Sequence, residues 1–229
     1  ATSGIINVTT KGPSRTFGAG LELETSEFLD NYGASRVGFN VMGPLIKGSN
    51  KNNTSVLGFF LAGDVNYRKD GQPSAIGHYK ASDDVLSYLE QSPLRPVGAG
   101  ETGTYVNGEF LRMDDLEEIN TSMNSSNYSA NILGNINIRT TETINLTIGG
   151  SYYTSHSNLF NYRGSLLNYN KNAVDNRTTY RGYIRFTQRF PTDGESNSLV
   201  KNVYYSIQAD YTKRSEEHTL NSSHVAISY

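Results

Sequence analysis

The stretch Tyr128–Arg139 reads YSANILGNINIR. Its alternate positions Tyr128, Ala130, Ile132, Gly134, Ile136 and Ile138 are apolar or small, and the positions between them, Ser129, Asn131, Leu133, Asn135, Asn137 and Arg139, are mostly polar. In an extended chain successive side chains point to opposite faces, so this period of two predicts a strand with one apolar and one wet face. A helix would mix the two sets around its circumference.

The same test finds six more strands. Downstream, Ile144–Tyr153 sets Ile144, Leu146, Ile148, Gly150 and Tyr152 against Asn145, Thr147, Gly149, Ser151 and Tyr153. The link around Thr141–Thr143 is short enough for a tight hairpin. Tyr180–Phe190 and Val203–Thr212 alternate in the same way, and upstream so do Thr16–Glu24, Ser35–Gly43 and, less cleanly, Leu57–Arg68. Each has about the nine to eleven residues with which a tilted strand crosses a bilayer.

The links sort by length. Those at 45–53, 141–143 and 191–202 are short or modest, whereas 70–127 and 156–175 are long. Short turns at one end and long loops at the other fit an outer-membrane barrel, while link lengths in a soluble sandwich would scatter at both ends. Inside the 70–127 insert, Ser82 followed by Asp83 and Asp84 predicts a helix N-terminus leading into Val85, Leu86, Tyr88 and Leu89, with Pro93 as its stop. A second helical turn or two is predicted over Met113–Ile119.

Composition agrees. Only 36% of the 229 residues are hydrophobic and 18% are charged, while Asn 24, Ser 25 and Thr 20 supply neutral polarity. A net charge of −2 is too balanced to indicate nucleic acid. The absence of cysteine excludes a disulfide framework, a thiolate metal site and a cysteine nucleophile. No apolar run approaches the roughly 20 residues of a spanning helix.

ATSGIINVTTKGPS, residues 1–14, resembles the closing segment of the plug domain in TonB-dependent outer-membrane receptors. SEFLDNYGASRVGFNVMGPLI, Ser26–Ile46, resembles the first extracellular turn and second barrel strand of the Bacteroidetes members of that family, and GFFLAGDVNYRKD their third strand. The resemblance spans residues 1–213. It implies an all-β chain, a partial antiparallel transmembrane β-barrel of about seven strands from a larger plugged barrel, with 1–14 as the plug end, 15–213 as the first strands and 70–127 as a partly helical extracellular loop. It further implies residence in the cell outer membrane, energy-coupled import of a scarce ligand (a glycan, a siderophore or a peptide), and the TonB-ExbB-ExbD complex as partner, with a surface lipoprotein as a further partner in glycan-importing members. It implies no catalytic residue, metal or cofactor. A passive porin-like barrel and a soluble β-rich adhesin or carbohydrate-binding module are the competing classes. RSEEHTLNSSHVAISY, residues 214–229, breaks the alternation and resembles a translated sequencing adapter, so the natural sequence is expected to stop near Lys213.

Arg181, Arg185 and Arg189 are the candidate site residues. A spacing of four puts them on one strand face, which must be the lumen because an arginine on lipid near the midplane costs about 2–4 kcal/mol. There they would attract an anionic or hydroxyl-rich ligand or hold the plug by charge; the plainer expectation is a hydrated wall paired with acids such as Asp210. His78 and His156 are expected as solvated residues of two separate loops. The pairs Asp83/Asp84, Asp114/Asp115 and Glu117/Glu118 are expected as helix-start charges, because consecutive helical residues point apart.

Overall fold

A computed structural model describes residues 16–30, 32–47, 55–71, 74–100, 102–191 and 203–219. The plug-like residues 1–14 and residues 220–229 lie outside these. The main body is a seven-stranded antiparallel sheet of β1 (Gly18–Thr25), β2 (Ala34–Lys47), β3 (Ser55–Arg68), β8 (Asn127–Arg139), β9 (Ile144–Leu159), β10 (Ala173–Phe190) and β11 (Val203–Thr219). Its spatial order follows the chain, an up-and-down meander in which every strand pairs with the next of the seven. All seven alternating segments are strands of this sheet.

Register carries the alternation from strand to strand, apart from shifts between Pro44 and Lys47 at the end of β2. Glu22 stands opposite Gly38, Asp64 opposite Asn131, Asn137 opposite Thr147, and Arg185 opposite both Thr147 and Gln208, so one face is polar from edge to edge. The other carries Leu21, Phe39, Leu61, Ile132, Ile148, Ile184 and Ile207. Burial is inverted relative to a water-soluble sheet: Asn135 and Asn137 on the polar face are 5% and 7% exposed, whereas Ile132 and Ile136 on the apolar face are 45% and 43% exposed. The only buried hydrophobic residues among those described are Ala81 and Leu89, and neither belongs to the sheet.

The apolar face is a band with aromatic borders, and the band slides through the register. At its upper border Tyr67 pairs with Tyr128, and Tyr128 with His156. On β9, however, the border residue is Tyr152, which pairs with Tyr180, and on β11 it is Tyr211, opposite Gly182. The lower border moves the same way, from the Leu57–Ile138 pair through Ile144 to the Phe190–Val203 pair. Tyr153 and Tyr204 lie near these borders but on the polar face, opposite Thr179 and Arg189 respectively.

Strands β9 to β11 run well past the upper border. There both faces are polar, with Thr154, His156, Asn158, Asn176 and Thr178 on the side that is apolar below. This extension places His156 in a strand, stacked on Tyr128 at 4.9 Å, rather than in a loop, and shortens the link to residues 160–172. Strand β11 likewise continues through Thr219, with Ser215 opposite Thr178. Any proline-free segment can hydrogen-bond to the edge of β10, so this pairing carries no information on the origin of residues 214–219.

The insert between β3 and β8 has its own small fold. Strand β4 (His78–Ala81) pairs with β7 (Leu116–Ile119), and β5 (Leu94–Pro96) with β6 (Thr104–Val106). Helix α1 (Asp83–Gln91) begins as expected, with the Ser82 side chain accepting from Val85 N at 3.4 Å, and it buries Leu89. The second expected helix is reduced to one 3-10 turn at Met113–Asp115. The backbone of 116–119 finds partners in β4 instead, which a lone helical turn could not supply.

Candidate functional site

Two surfaces concentrate polar chemistry: the polar face of the sheet, and a cap built from the insert and the 160–172 link.

On the polar face, β10 brings Arg181, Arg185 and Arg189 into one row, as their spacing requires. Their neutralisation differs along the strand. Arg181 donates to Asp210 at 2.7 Å; Arg185 donates to the neutral Gln208 at 2.6 Å, whose amide in turn donates to Asp210 at 2.8 Å. Arg189 stands opposite Tyr204. The expected partnership with Asp210 therefore holds for Arg181 alone. Beside this row runs an amide and hydroxyl network: Asn137 donates to Asn135 at 2.7 Å, and the Thr147 hydroxyl donates to Asn137 at 2.8 Å. The Tyr183 ring lies flat over Gly149, where an added Cβ would stand 2.6 Å from it. At the other edge Arg36 reaches Glu22 and Glu24 at 3.6 and 3.7 Å, beside a groove of about 420 Å³ that Asn40, Asp64 and Asn131 also line.

Strands β10 and β11 also bring Asp175, Glu216 and His218 within 4.8 Å of one another. Glu216 already receives Arg177 at 2.6 Å and Arg214 at 2.8 Å, so the group is an ion-pair cluster in which guanidinium groups satisfy Glu216, while Asp175 Oδ1 faces only His218 Nδ1 at 3.4 Å.

The cap is pinned to the end of β3 by Asp70, which is 1% exposed and accepts from Ser122 N at 2.7 Å. His78 joins them, its Nε2 3.1 Å from the Ser122 hydroxyl and 3.9 Å from the Asp70 carboxylate. A serine, a histidine and an aspartate thus meet, but serine and aspartate approach the same ring nitrogen. A nucleophile relay needs the carboxylate on the nitrogen opposite the serine, so this arrangement is a staple between chain segments. His78 is therefore a packed residue with named partners rather than a solvated one. Further ties reach the 160–172 link: Ala81 N donates to Leu166 O at 2.8 Å, Asn172 donates to Asn124 O at 2.9 Å, and Phe160 packs edge-on against His78 at 5.9 Å. A cleft of about 650 Å³ lies beneath, lined in part by Glu27, Asp30, Lys69, Glu118 and Asn120.

The paired carboxylates have structural duties. Asp83 and Glu117 flank Lys80 at 3.5 and 3.2 Å, and Asp115 accepts from Arg112 N at 2.8 Å. The hydrogen bond to Glu117, reinforced by Asp83, holds the Lys80 ammonium above the ordinary lysine range against the opposing effect of burial. Glu117 and Glu118 belong to β7, so they point to opposite sides, and no helix start is involved.

Sequence reasoning missed the Asp70–His78–Ser122 staple, whose members lie 44 and 52 positions apart and form no motif. It also left Arg139 out of the arginine group. Parity put Arg139 on the polar face, but only the register places it opposite Asn145, which leads across to Thr187 between Arg185 and Arg189. Comparisons with protein-family models, with curated proteins and with solved structures return no match.

Proposed function

We propose that the chain is part of the wall of a plugged outer-membrane β-barrel that imports a scarce ligand under energy coupling, a TonB-dependent receptor. The observation that carries the wall is the sliding apolar band. From β3 to β11 its borders shift by about four to six residues, or about 13–20 Å along the strands, while four strand steps advance about 19 Å across the sheet. A level band on this sheet requires strands tilted by about 35–45°, the tilt of transmembrane barrels. At that tilt nine to eleven residues span about 25 Å vertically, the height of the lipid-facing belt. Tyrosines at the upper border, and Phe59 against Phe17 with Phe190 near the lower one, suit the two interfaces. The polar ends of β9 to β11 would then stand in water outside the bilayer, with the cap on the external side.

Energy coupling and import rest on the resemblance of residues 1–14, 26–46 and 58–70 to that receptor family, since fold alone does not specify function. The mechanism has no covalent step. The cap and other external loops would capture the ligand, and movement of the plug would open a path along the polar face.

These 229 residues contain no tryptophan, so an introduced one is read as the difference from the unsubstituted protein. In the parent protein reconstituted with brominated lipids, Ile148→Trp is expected to be strongly quenched and Thr147→Trp to respond instead to aqueous iodide. Equal iodide access at both positions would overturn the wall. Import is tested separately in cells: uptake that persists after collapse of the proton-motive force would replace the coupled receptor with a passive pore.

A further inference from the structure

We infer that the turn end of the polar face, between Arg139, Arg185 and Arg189, is an oxyanion site that takes a carboxylate, sulfate or phosphate group on a solute moving along the wall. This rests on the reading of the polar face as the water-filled side.

The carboxylates of the polar face are gathered at one end of it. Among the described residues of the polar face, Glu22, Glu24, Asp64, Asp175, Asp210 and Glu216 all lie toward the cap end, beyond the row in which Arg185 pairs with Thr147 and Gln208. Each pairs locally with an arginine or an amide there. From that row down to the turns, β8 to β11 present Arg139, Asn145, Arg185, Thr187, Arg189, Tyr204 and Ser206. No carboxylate lies among these strand residues, and Glu142 in the β8–β9 turn makes no ion pair with any of the three arginines. Among the described residues, three permanent cations therefore share one floor of neutral side chains.

Geometry lets them act together. Arg139 is opposite Asn145, and Asn145 is opposite Thr187, which lies between Arg185 and Arg189. Two strand steps of about 4.8 Å and two residues of about 3.3 Å separate the Cα of Arg139 from those of the β10 pair by about 12 Å. Two extended arginine side chains bridge that span from opposite sides. The floor beneath is made of short side chains, with the Thr187 and Ser206 hydroxyls 3.2 Å apart and the Thr147 hydroxyl on Asn137. Arginine offers a planar fork that matches two oxygens of one oxyanion, and hydroxyls add donors from below. Arg185 keeps its remaining donors available because its Nε is the atom given to Gln208.

The test is equilibrium binding of labelled sulfate to the parent protein in detergent, at fixed ionic strength, with chloride as competitor. Arg139→Gln, Arg185→Gln and Arg189→Gln are each expected to weaken binding about tenfold, the loss of one charge-assisted bidentate contact. Arg181→Gln, whose guanidinium is already held by Asp210, is expected to change it less than about twofold. Arg185→Lys should retain part of the affinity, since it keeps the charge and loses the fork, and it guards against a misfolded glutamine variant. Undetectable sulfate binding, an Arg181→Gln loss equal to that of Arg185→Gln, or displacement by equimolar chloride would overturn the site. A protein that binds sulfate in this arginine-dependent way yet fails the lipid-quenching test refutes the membrane reading alone; the opposite pair of results refutes the anion site alone.

Discussion

The sheet and its cap distribute the same kinds of residue in opposite ways. In the sheet, Ile132, Ile136 and Ile148 are exposed while Asn135 and Asn137 are buried; in the cap, Ala81 and Leu89 are buried while Asp83 and Glu117 reach out to flank Lys80. The cap has a small apolar centre with Lys80 and its acids toward the outside, and its one fully buried carboxylate, Asp70, is hydrogen-bonded to Ser122 N. The sheet reverses the pattern within its band, with exposed isoleucines on one face and buried asparagines on the other. Under the proposed function the two arrangements answer to two solvents: water around the cap and the polar face, and an apolar medium against the band.

The largest effect is expected where the band's own geometry leaves no room. Gly150 lies in the band, and a Cβ there would stand 2.6 Å from the Arg181 carbonyl oxygen on β10, a backbone atom that cannot rotate away. Gly182, its partner across the ladder, has nothing within 4 Å. Gly150→Val is expected to cost about 4 kcal/mol or more by forcing β9 and β10 apart, while Gly182→Ala costs less than about 1 kcal/mol. Denaturant unfolding in detergent micelles measures both. Equal effects would mean that the two strands are not packed this closely.

A paired substitution then separates the two solvents. Ile136→Arg, on the band, is expected to lose about 3 kcal/mol in lipid and little in a water-exposed setting, because the penalty is that of a charge in hydrocarbon. Leu89→Ala, in the cap, is expected to lose about 2 kcal/mol regardless of the surrounding lipid, because it opens a cavity in a core that water already surrounds. Unfolding in bilayers of two thicknesses distinguishes them. Dependence on bilayer thickness should appear for Ile136→Arg alone; the same dependence for both would erase the distinction between sheet and cap.

This division also explains what was legible in the sequence. Within the band one face is apolar and the other polar, so Tyr128–Arg139 and its neighbours alternate and all seven strands could be placed. Above the band polar residues occupy both faces, alternation fades, and the upper parts of β9 to β11, with His156 among them, read as loop. The short pairings of the cap, four residues in β4 and β7 and three in β5 and β6, are too brief to show a period. Helix α1 was readable because capping is local: Ser82, Asp83 and Asp84 announce it. The Asp70–His78–Ser122 staple is not local, and nothing short of the fold joins its parts. The arginine row was visible by parity within one strand, whereas the contribution of Arg139 required knowing that β8 sits two strands from β10 and in which register.

The mildest expected effect is a pH dependence confined to the cap. Lys80 lies between Glu117 and Asp83 with Tyr169 beside it, its ring centre 6.0 Å away, and the folded structure holds its pKa above the ordinary lysine value, chiefly through the Glu117 hydrogen bond. A cation whose pKa is raised on folding stabilises the fold fully at pH below the unfolded value, about 10.4, and loses that contribution as pH rises through the folded value above it. Cleavage of the insert by a protease active in alkali should therefore stay constant from neutral pH to about 10 and increase above it. Lys80→Met, which carries no titrating group, should raise the cleavage rate at neutral pH and remove the alkaline step. The sheet does not share this cation, so its resistance should be flat over the same range. An alkaline step of equal size in wild type and Lys80→Met would show that Lys80 does not hold the cap, and a parallel step in the sheet would show that cap and wall are not the separable structures their opposite burial patterns describe.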